Sequence, residues 1–577
     1  MKKKLLCILT DEKEYLKNRK NFLIIDKNIL DILEARNFFN KNNQYQYVNN
    51  SNNRINNKNY LNRNALFVKK KFSIYKRQLI QKLNKYHNVN ENQFYWGQIV
   101  DAWLINLITV TKLRANDLFF LKKNHKSILI INESRKKIYN NAQEFNYDTA
   151  YSGRANQYIY SRIANILKIK LISHNKKKNY IYVNNFINVR KFLFSTFFLL
   201  YIKLFKPFVF FGSSFSKLDK IKLFFFSRGK VFFSDIFFLE KKNQFSSIPD
   251  NSFRSKLKFK ENDIFDKCIN SIIGDLIPKN FVENFSIIVK NLKNYSRYIS
   301  GIGTSYYFYY EDIYKILSAE IKKNKGKLYV FEHGHYHIFY KQDLRRDAEK
   351  KYLDFDFRWD TKDGIGTAQF SRLKYLKEYK NNNSLITLFL EPRYKYNFKL
   401  INSMSKDLKE KSLDSLLFYR TLSDTLKSKF LLRPFGINFY DSLQWKNTFD
   451  KNPKAKGVID LSKDSKVILG KTKIFVANYF SNSFFEALYL NIPIIIFFNL
   501  ESYNFDKETN SFFNKFEELN IFHRSSKSAA EFLNLNYYHI ALYWNSKIVQ
   551  DVLDNFRKKC FGRNTDYIKN ILKQISS

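Results

Sequence analysis

The chain has 577 residues, 45% of them hydrophobic and 18% aromatic, enough for more than one core and against global disorder. Its 100 Lys and Arg against 52 Asp and Glu give a formal charge of +48, which attracts polyanions and anionic membrane surfaces. Lys, Asn, Ile, Phe and Tyr dominate while Gly, Pro and Ala are scarce, the mark of A/T-rich codons, so part of the charge is base composition. The basic residues are also spread along the whole chain rather than gathered on one element with stacking aromatics, which argues against nucleic acid as the ligand. Cys7, Cys268 and Cys560 lie far apart with no metal spacing, which argues against a zinc site and a disulfide framework and fits a reducing cytoplasm.

In chain order, the basic start Lys2–Lys4 leads into Leu5–Leu9, which is too short for a secretory apolar region and reads as a first strand. The Asn-rich stretch 40–64 reads as loop. From 94 to 125 the pattern is helical, with Trp96, Ile99, Trp103, Leu104, Leu107 and Ile108 on one face. Residues 127–132 suit a strand. The middle, 180–300, alternates Phe-rich runs with Lys-rich turns and yields no clear order. Its most apolar stretch, Phe192–Ile202, spans about 11 residues where a membrane span needs about 20. It therefore reads as a helix leading into the core strand 207–212, with a peripheral membrane patch as the alternative, and no transmembrane helix is expected.

Periodicity sharpens at 298–304, followed by a helix over 311–323, a turn at Gly326 and a strand over 327–331 that runs straight into Glu332-His333-Gly334-His335-Tyr336-His337. The charged, Asn-rich 377–383 reads as a linker. A fresh strand, 385–390, follows it, then a helix over 403–416, a strand over 430–433 and a short edge strand at 457–460. Next come a buried strand, Ile474–Ala477, a polar turn, a helix opening on Ser and Asn and carrying Glu486, and a second strand over 492–498. Strand, turn, helix, strand is the βαβ unit of a parallel sheet, which binds ligands where strands end and helices begin. Backbone N–H groups at that helix start suit a phosphate, and Glu486 can accept hydrogen bonds from a ribose. The same spacing also describes an N-cap serine with a capping glutamate. From Ser528 the tail reads as helical and is expected to pack back across the first domain.

Several short motifs resemble a bacterial family of transferases encoded with capsule and lipopolysaccharide genes. They are His333-Gly334-His335-Tyr336, the run Asp354–Trp359, and Ser481/Ser483 with Glu486-Ala487-Leu488 and Pro493; Tyr95–Leu104 is similar to the family's aromatic stretch, with Asp101-Ala102 departing from it. Leu519–His523 followed by Ala529-Ala530 is similar to the family's close. His335 stands where the family usually has a second glycine. The resemblance implies an α/β, GT-B-like fold of two facing Rossmann-like domains with a C-terminal helical segment crossing back, related in architecture to Kdo and sialic-acid transferases and to the polyol-phosphate transferases of teichoic-acid synthesis. The implied division is an acceptor-side domain with insertions at 1–380, a nucleotide-sugar-binding domain at 381–530 and a helical segment at 531–577.

A metal-independent enzyme of that type needs a base for the acceptor hydroxyl, cations or helix N-termini for the departing phosphate, and contacts to ribose and base. His333 is the base expected, since imidazole takes a proton near neutral pH; Glu332 competes with it, and a histidine that merely caps a strand end is the alternative. His333, His335 and His337 alternate and can share a face, but no carboxylate or cysteine joins them, so no metal is expected, and no cofactor. Arg393 and Arg433, both at strand ends, are candidates to neutralise the donor phosphate. Asn478, Ser481, Ser483 and Glu486 complete the donor-binding set, while Arg358-Trp359 reads as packing. The expected function is glycosyl transfer from a nucleotide-sugar, CMP-sugar being favoured by the resemblance alone, to a growing bacterial surface glycan or lipid-linked glycan. The alternatives are a CDP-polyol phosphotransferase and, from another class, a basic nucleic-acid-binding protein. The expected location is cytoplasmic, with peripheral contact to the inner face of the plasma membrane.

Overall fold

A computed structural model describes residues 5–12, 15, 21–35, 44–48, 58–125, 127–173, 189–234, 247–333, 338–361, 383–390, 394–397, 400, 408–434, 465–562 and 566–576. Three five-stranded sheets, each wholly parallel, organise it. The first contains β1 (Leu5–Ile8), β2 (Asn21–Ile24), β3 (Gln44–Tyr47), β4 (Ile128–Asn132) and β5 (Lys170–Ser173), ordered β3-β2-β1-β4-β5. The second contains β6 (Phe208–Phe211), β7 (Val231–Ser234), β8 (Gly301–Thr304), β9 (Lys327–Phe331) and β10 (Phe355–Phe357), ordered β10-β9-β8-β6-β7. The third contains β11 (Leu385–Phe389), β12 (Phe430–Arg433), β13 (Thr472–Ala477), β14 (Ile494–Phe497) and β15 (Phe522–His523), ordered β12-β11-β13-β14-β15.

Numbered within themselves, the second and third sheets share the order 2-1-3-4-5, whereas the first has 3-2-1-4-5. Both are doubly wound orders, in which chain direction across the sheet reverses at one switch point and leaves a crevice beyond the strand ends. The α/β, GT-B-like expectation therefore holds, with a third parallel sheet beside the matched pair. In the second sheet Gly301 and Gly303 let β6 lie close: a Cβ on Gly301 would sit 2.0 Å from the Phe208 ring, and one on Gly303 2.3 Å from that of Phe210.

Two expectations need correction. The stretch 40–64 is not simply loop, because Gln44–Tyr47 pairs with β2 and a helix begins at Lys58 and runs to His87. Its Asn residues hide a helical stripe of Leu61, Ala65, Val68, Phe72 and Tyr75, all buried. The helix Gln93–Asn124, capped by Asn92 accepting from the N–H groups of Phe94 and Tyr95, is buried all round from Tyr95 to Thr111 rather than on one face. It forms the axis of the N-terminal core, which is why Trp96 and Trp103 are fully buried. The proposed linker over 377–382 and the edge strand at 457–460 lie outside the described residues.

The tail is helical over Ser526–Asn536, Ile540–Trp544, Lys547–Cys560 and Tyr567–Ser576. Its last helix crosses to the second sheet, where Tyr567 donates to Asp219 at 2.7 Å and Tyr329 donates to the Gln574 carbonyl at 2.9 Å. Among the described residues no helix is long and apolar enough to cross a membrane.

On helix Gln93–Asn124, burial pushes the Asp117 carboxyl up to about 6, opposed by the Tyr160 hydroxyl and Arg114. A carboxyl raised in the folded state adds stability below its unfolded pKa of about 3.9, and that stability is lost as pH rises through about 6. Asp117→Asn should therefore raise the thermal midpoint at pH 8 and leave it nearly unchanged at pH 4, as read by calorimetry at the two pH values.

Candidate active site between the second and third sheets

The switch point of the second sheet lies between β6 and β8, and both strands end there in small polar residues. Gly212-Ser213-Ser214 follows β6 and Ser305-Tyr306 follows β8, the two ends being tied by the Ser305 N–H donating to the Gly212 carbonyl at 3.3 Å. The neighbouring strand β9 delivers Glu332 and His333 to the same edge. His333 is exposed; its Nδ1 lies 3.3 Å from Ser214 Oγ, and its ring centroid lies 5.3 Å from that of Tyr306.

The third sheet contributes the helix Asn482–Tyr489, which follows β13. Ser481 is its N-cap, accepting from the Phe484 N–H at 3.4 Å, so the capping role read from the sequence is real. Asn482 in the first turn donates from Nδ2 to the His333 carbonyl at 3.3 Å. A helix N-terminus, where free N–H groups favour negative charge, is thereby joined to the strand end that carries the histidine. Ser483 is half-buried in that turn and Glu486 is buried one turn further on.

Four buried polar atoms gathered at these strand ends make no hydrogen bond among the described residues: Ser213 Oγ, Ser305 Oγ, Asn482 Oδ1 and Asn478 Oδ1. Buried polar atoms normally have partners, and these four follow the ends of β6, β8 and β13. Asn478, immediately after β13, donates from Nδ2 to Ser415 Oγ at 3.2 Å and lines a cavity of about 340 Å³ with Lys411, Asn499, Arg524 and Ser525. That volume lies in the range of small-ligand pockets. A larger cavity of about 860 Å³, between helices Gly153–Ile166 and Ile264–Asn270, belongs to the N-terminal packing. Its buried cation, Arg254, is engaged by Glu283 and by the carbonyls of Gly274 and Ile277.

Glu332 is buried and turned onto Trp359, whose backbone N–H donates to its Oε2 at 3.1 Å; the Trp359 indole N–H donates to the Glu332 carbonyl at 2.7 Å. Arg433 ends β12 and is buried, its carbonyl accepting from Leu390 N–H at 3.0 Å. Arg393, Gly334, His335, Tyr336 and His337 lie outside the described residues. Among the described residues no group of three or more His, Cys, Asp or Glu is placed to hold a metal.

The motif islands form one contact network. Asp101 is buried and held by Lys76 Nζ at 2.8 Å and by the Tyr352 hydroxyl, which ties the Tyr95–Leu104 stretch to the start of β10. Asp356 and Glu349 both bind Arg346. Arg358 is paired with Asp360, whose hydrogen bond raises the guanidinium pKa further. Trp359 then meets Phe485 of the third-sheet helix edge-on at 6.2 Å. Sequence reasoning missed Ser213, Ser214, Ser305, Tyr306 and Asn482. The signal was present as polar pairs directly after apolar runs, and became legible only once β6 and β8 had been placed side by side.

Two like-ordered parallel sheets joined across their strand-end crevices define a GT-B-type protein. The chain belongs to the LIC12162 family of transferases, whose profile matches residues 5–575. Among solved structures it is similar to MnaA of S. aureus in its co-structure with UDP, with a TM-score of 0.35 and 9% identity over 64% of this chain and 96% of that one. It is also similar to a protein of Listeria monocytogenes described as a UDP-N-acetylglucosamine 2-epimerase, with a TM-score of 0.31 and 8% identity over 63% and 94% of the two chains. Comparison with curated proteins gives no significant match.

Proposed function

We propose that this transferase is a metal-independent glycosyltransferase that moves a sugar from a nucleotide-sugar, CMP-sugar being the favoured donor, to a bacterial surface glycan at the inner face of the plasma membrane. The observation that carries the reading is the junction of His333 with the N-terminus of helix Asn482–Tyr489, with unpartnered Ser213, Ser305, Asn478 and Asn482 atoms following the ends of β6, β8 and β13. In this reading residues 1–380 serve the acceptor, 381–530 hold the donor, and 531–577 brace the two.

The acceptor hydroxyl oxygen attacks the anomeric carbon, the bond from that carbon to the donor phosphate oxygen breaks, and the hydroxyl proton passes to His333. In the tautomer whose Nδ1 donates to Ser214 Oγ, Nε2 keeps the lone pair that the proton needs. The departing nucleotide gains negative charge, which the N–H groups after Ser481, with Ser483, Arg433 and Arg393, would stabilise. Glu486 takes the ribose and Asn478 the base side of the nucleotide. Glu332, the other base candidate, acts through Trp359 as a positioning residue.

Thermal-shift measurements against CMP, CDP, UDP, GDP and their sugar conjugates test this. A nucleotide that binds only the folded chain adds about 2.7 kcal/mol at a hundredfold excess over Kd. One nucleotide should give that shift and Glu486→Ala should lose it. A shift with a CDP-polyol alone would favour polyol-phosphate transfer, and a salt-sensitive shift with nucleic acid alone would overturn the transferase chemistry proposed.

A further inference from the structure

Helices Val189–Phe205 and Lys217–Phe226 lie side by side against β7, the edge strand of the second sheet. Phe232 of β7 packs on Phe198 at 5.6 Å and on Tyr201 at 4.7 Å, and Tyr201 stacks on Phe224 at 6.5 Å between ring centroids. Each helix thus buries one apolar stripe, and each exposes a second. Phe197, Leu200 and Leu204 recur at i, i+3 and i+7 on one helix, and Leu218, Ile221 and Phe225 do so on the other. Leu204 is 70% and Phe225 69% exposed. Paired apolar stripes of this size are far from the scattered single hydrophobics of an ordinary surface.

Charge indicates what covers them. Lys203, Lys206, Lys217, Lys222, Arg228 and Lys230 are exposed along the same segment. Over 197–234 the sole carboxylate is Asp219, which is buried and bonded to Tyr567. An apolar face bordered by Lys and Arg without acidic residues is the chemistry of an interfacial helix on an anionic bilayer.

We propose that this two-helix face docks the chain on an anionic lipid bilayer. The inference deepens the reading of a transferase at the inner membrane face and rests on it for which membrane is met. It also places the site near the lipid, since helix Lys217–Phe226 is capped by Ser216, two residues after the Ser214 that touches His333. A lipid-linked acceptor held in the bilayer would then reach the base without leaving it.

Co-sedimentation of the full chain with phosphatidylcholine vesicles, with and without about 30% phosphatidylglycerol, is the test. The chain should bind the anionic vesicles, and Leu204→Ser with Phe225→Ser should weaken binding about tenfold or more. Lys203→Glu with Lys222→Glu should do the same, and both double variants should keep the far-UV circular dichroism of the parent. Failure to bind either vesicle, or unchanged binding by both double variants, would overturn the proposal. So would a dimer by light scattering that dissociates in the Leu204→Ser, Phe225→Ser variant, which would assign the face to a second copy. Because no sugar transfer is read, failure here is distinguishable from failure of the transferase reading, which the nucleotide shift reports.

Discussion

Replacing His333 by Ala is expected to lower kcat by about 10²–10⁴-fold, the span that a positioned general base contributes, with the stability of the fold changed by less than about 0.5 kcal/mol. The second half of that expectation follows from exposure. His333 lies exposed at the surface of the cleft, where its ring meets Ser214 Oγ and Tyr306. The first half is checked by donor consumption in the presence of acceptor. Ser214→Ala should cost less, since only the ring's orientation is loosened. A variant at His333 that keeps full activity would reduce the residue to a strand cap.

Much of the third sheet was legible because its strands are short apolar runs with polar ends. Residues 385–390, 430–433 and 474–477 each match an observed strand within two residues, and the helix opening at Asn482 lies where its Ser-Asn start places it. The second sheet was half legible. β9 announces itself as 327–331 and β6 as the core strand 207–212, but β7 sits inside a Phe- and Lys-rich stretch in which the exposed faces are as apolar as the buried ones. Periodicity cannot choose a face when Leu204 and Ile202 look alike and only the latter is buried. The patch that confuses the pattern is the surface proposed to meet the bilayer. β3 was hidden for the opposite reason: Gln44–Tyr47 has no Val, Ile or Leu and is a strand by pairing with β2 rather than by its own burial. In the site, the residue types expected at strand ends lie there for His333, Asn478 and Arg433. No pattern in the sequence pointed to the union of His333 with Asn482, because that contact spans 149 residues.

Trp359 carries the other large expected effect. It closes the motif that begins at Asp354 and is 2% exposed. Its N–H groups hold Glu332, its carbonyl accepts from Gly562 N–H at 2.6 Å, and its ring meets Phe485. One residue therefore ties β9, the third-sheet helix and the tail together, the first two through its ring. Trp359→Ala should cost about 3–5 kcal/mol, the range for emptying a buried aromatic site, and hydrogen exchange should rise along 327–333 and 482–489 together. Trp359→Phe refills most of the volume but leaves the Glu332 carbonyl without its indole donor, a loss of about 1–3 kcal/mol. That variant separates packing from positioning. Within the proposed mechanism it should fold and still bind nucleotide through Glu486, yet turn over slowly, because the residue before His333 has lost one of its two bonds to residue 359. If Trp359→Phe lost stability but kept full kcat, Trp359 would be a packing residue alone, and the joint between the sheets would not set the position of the base.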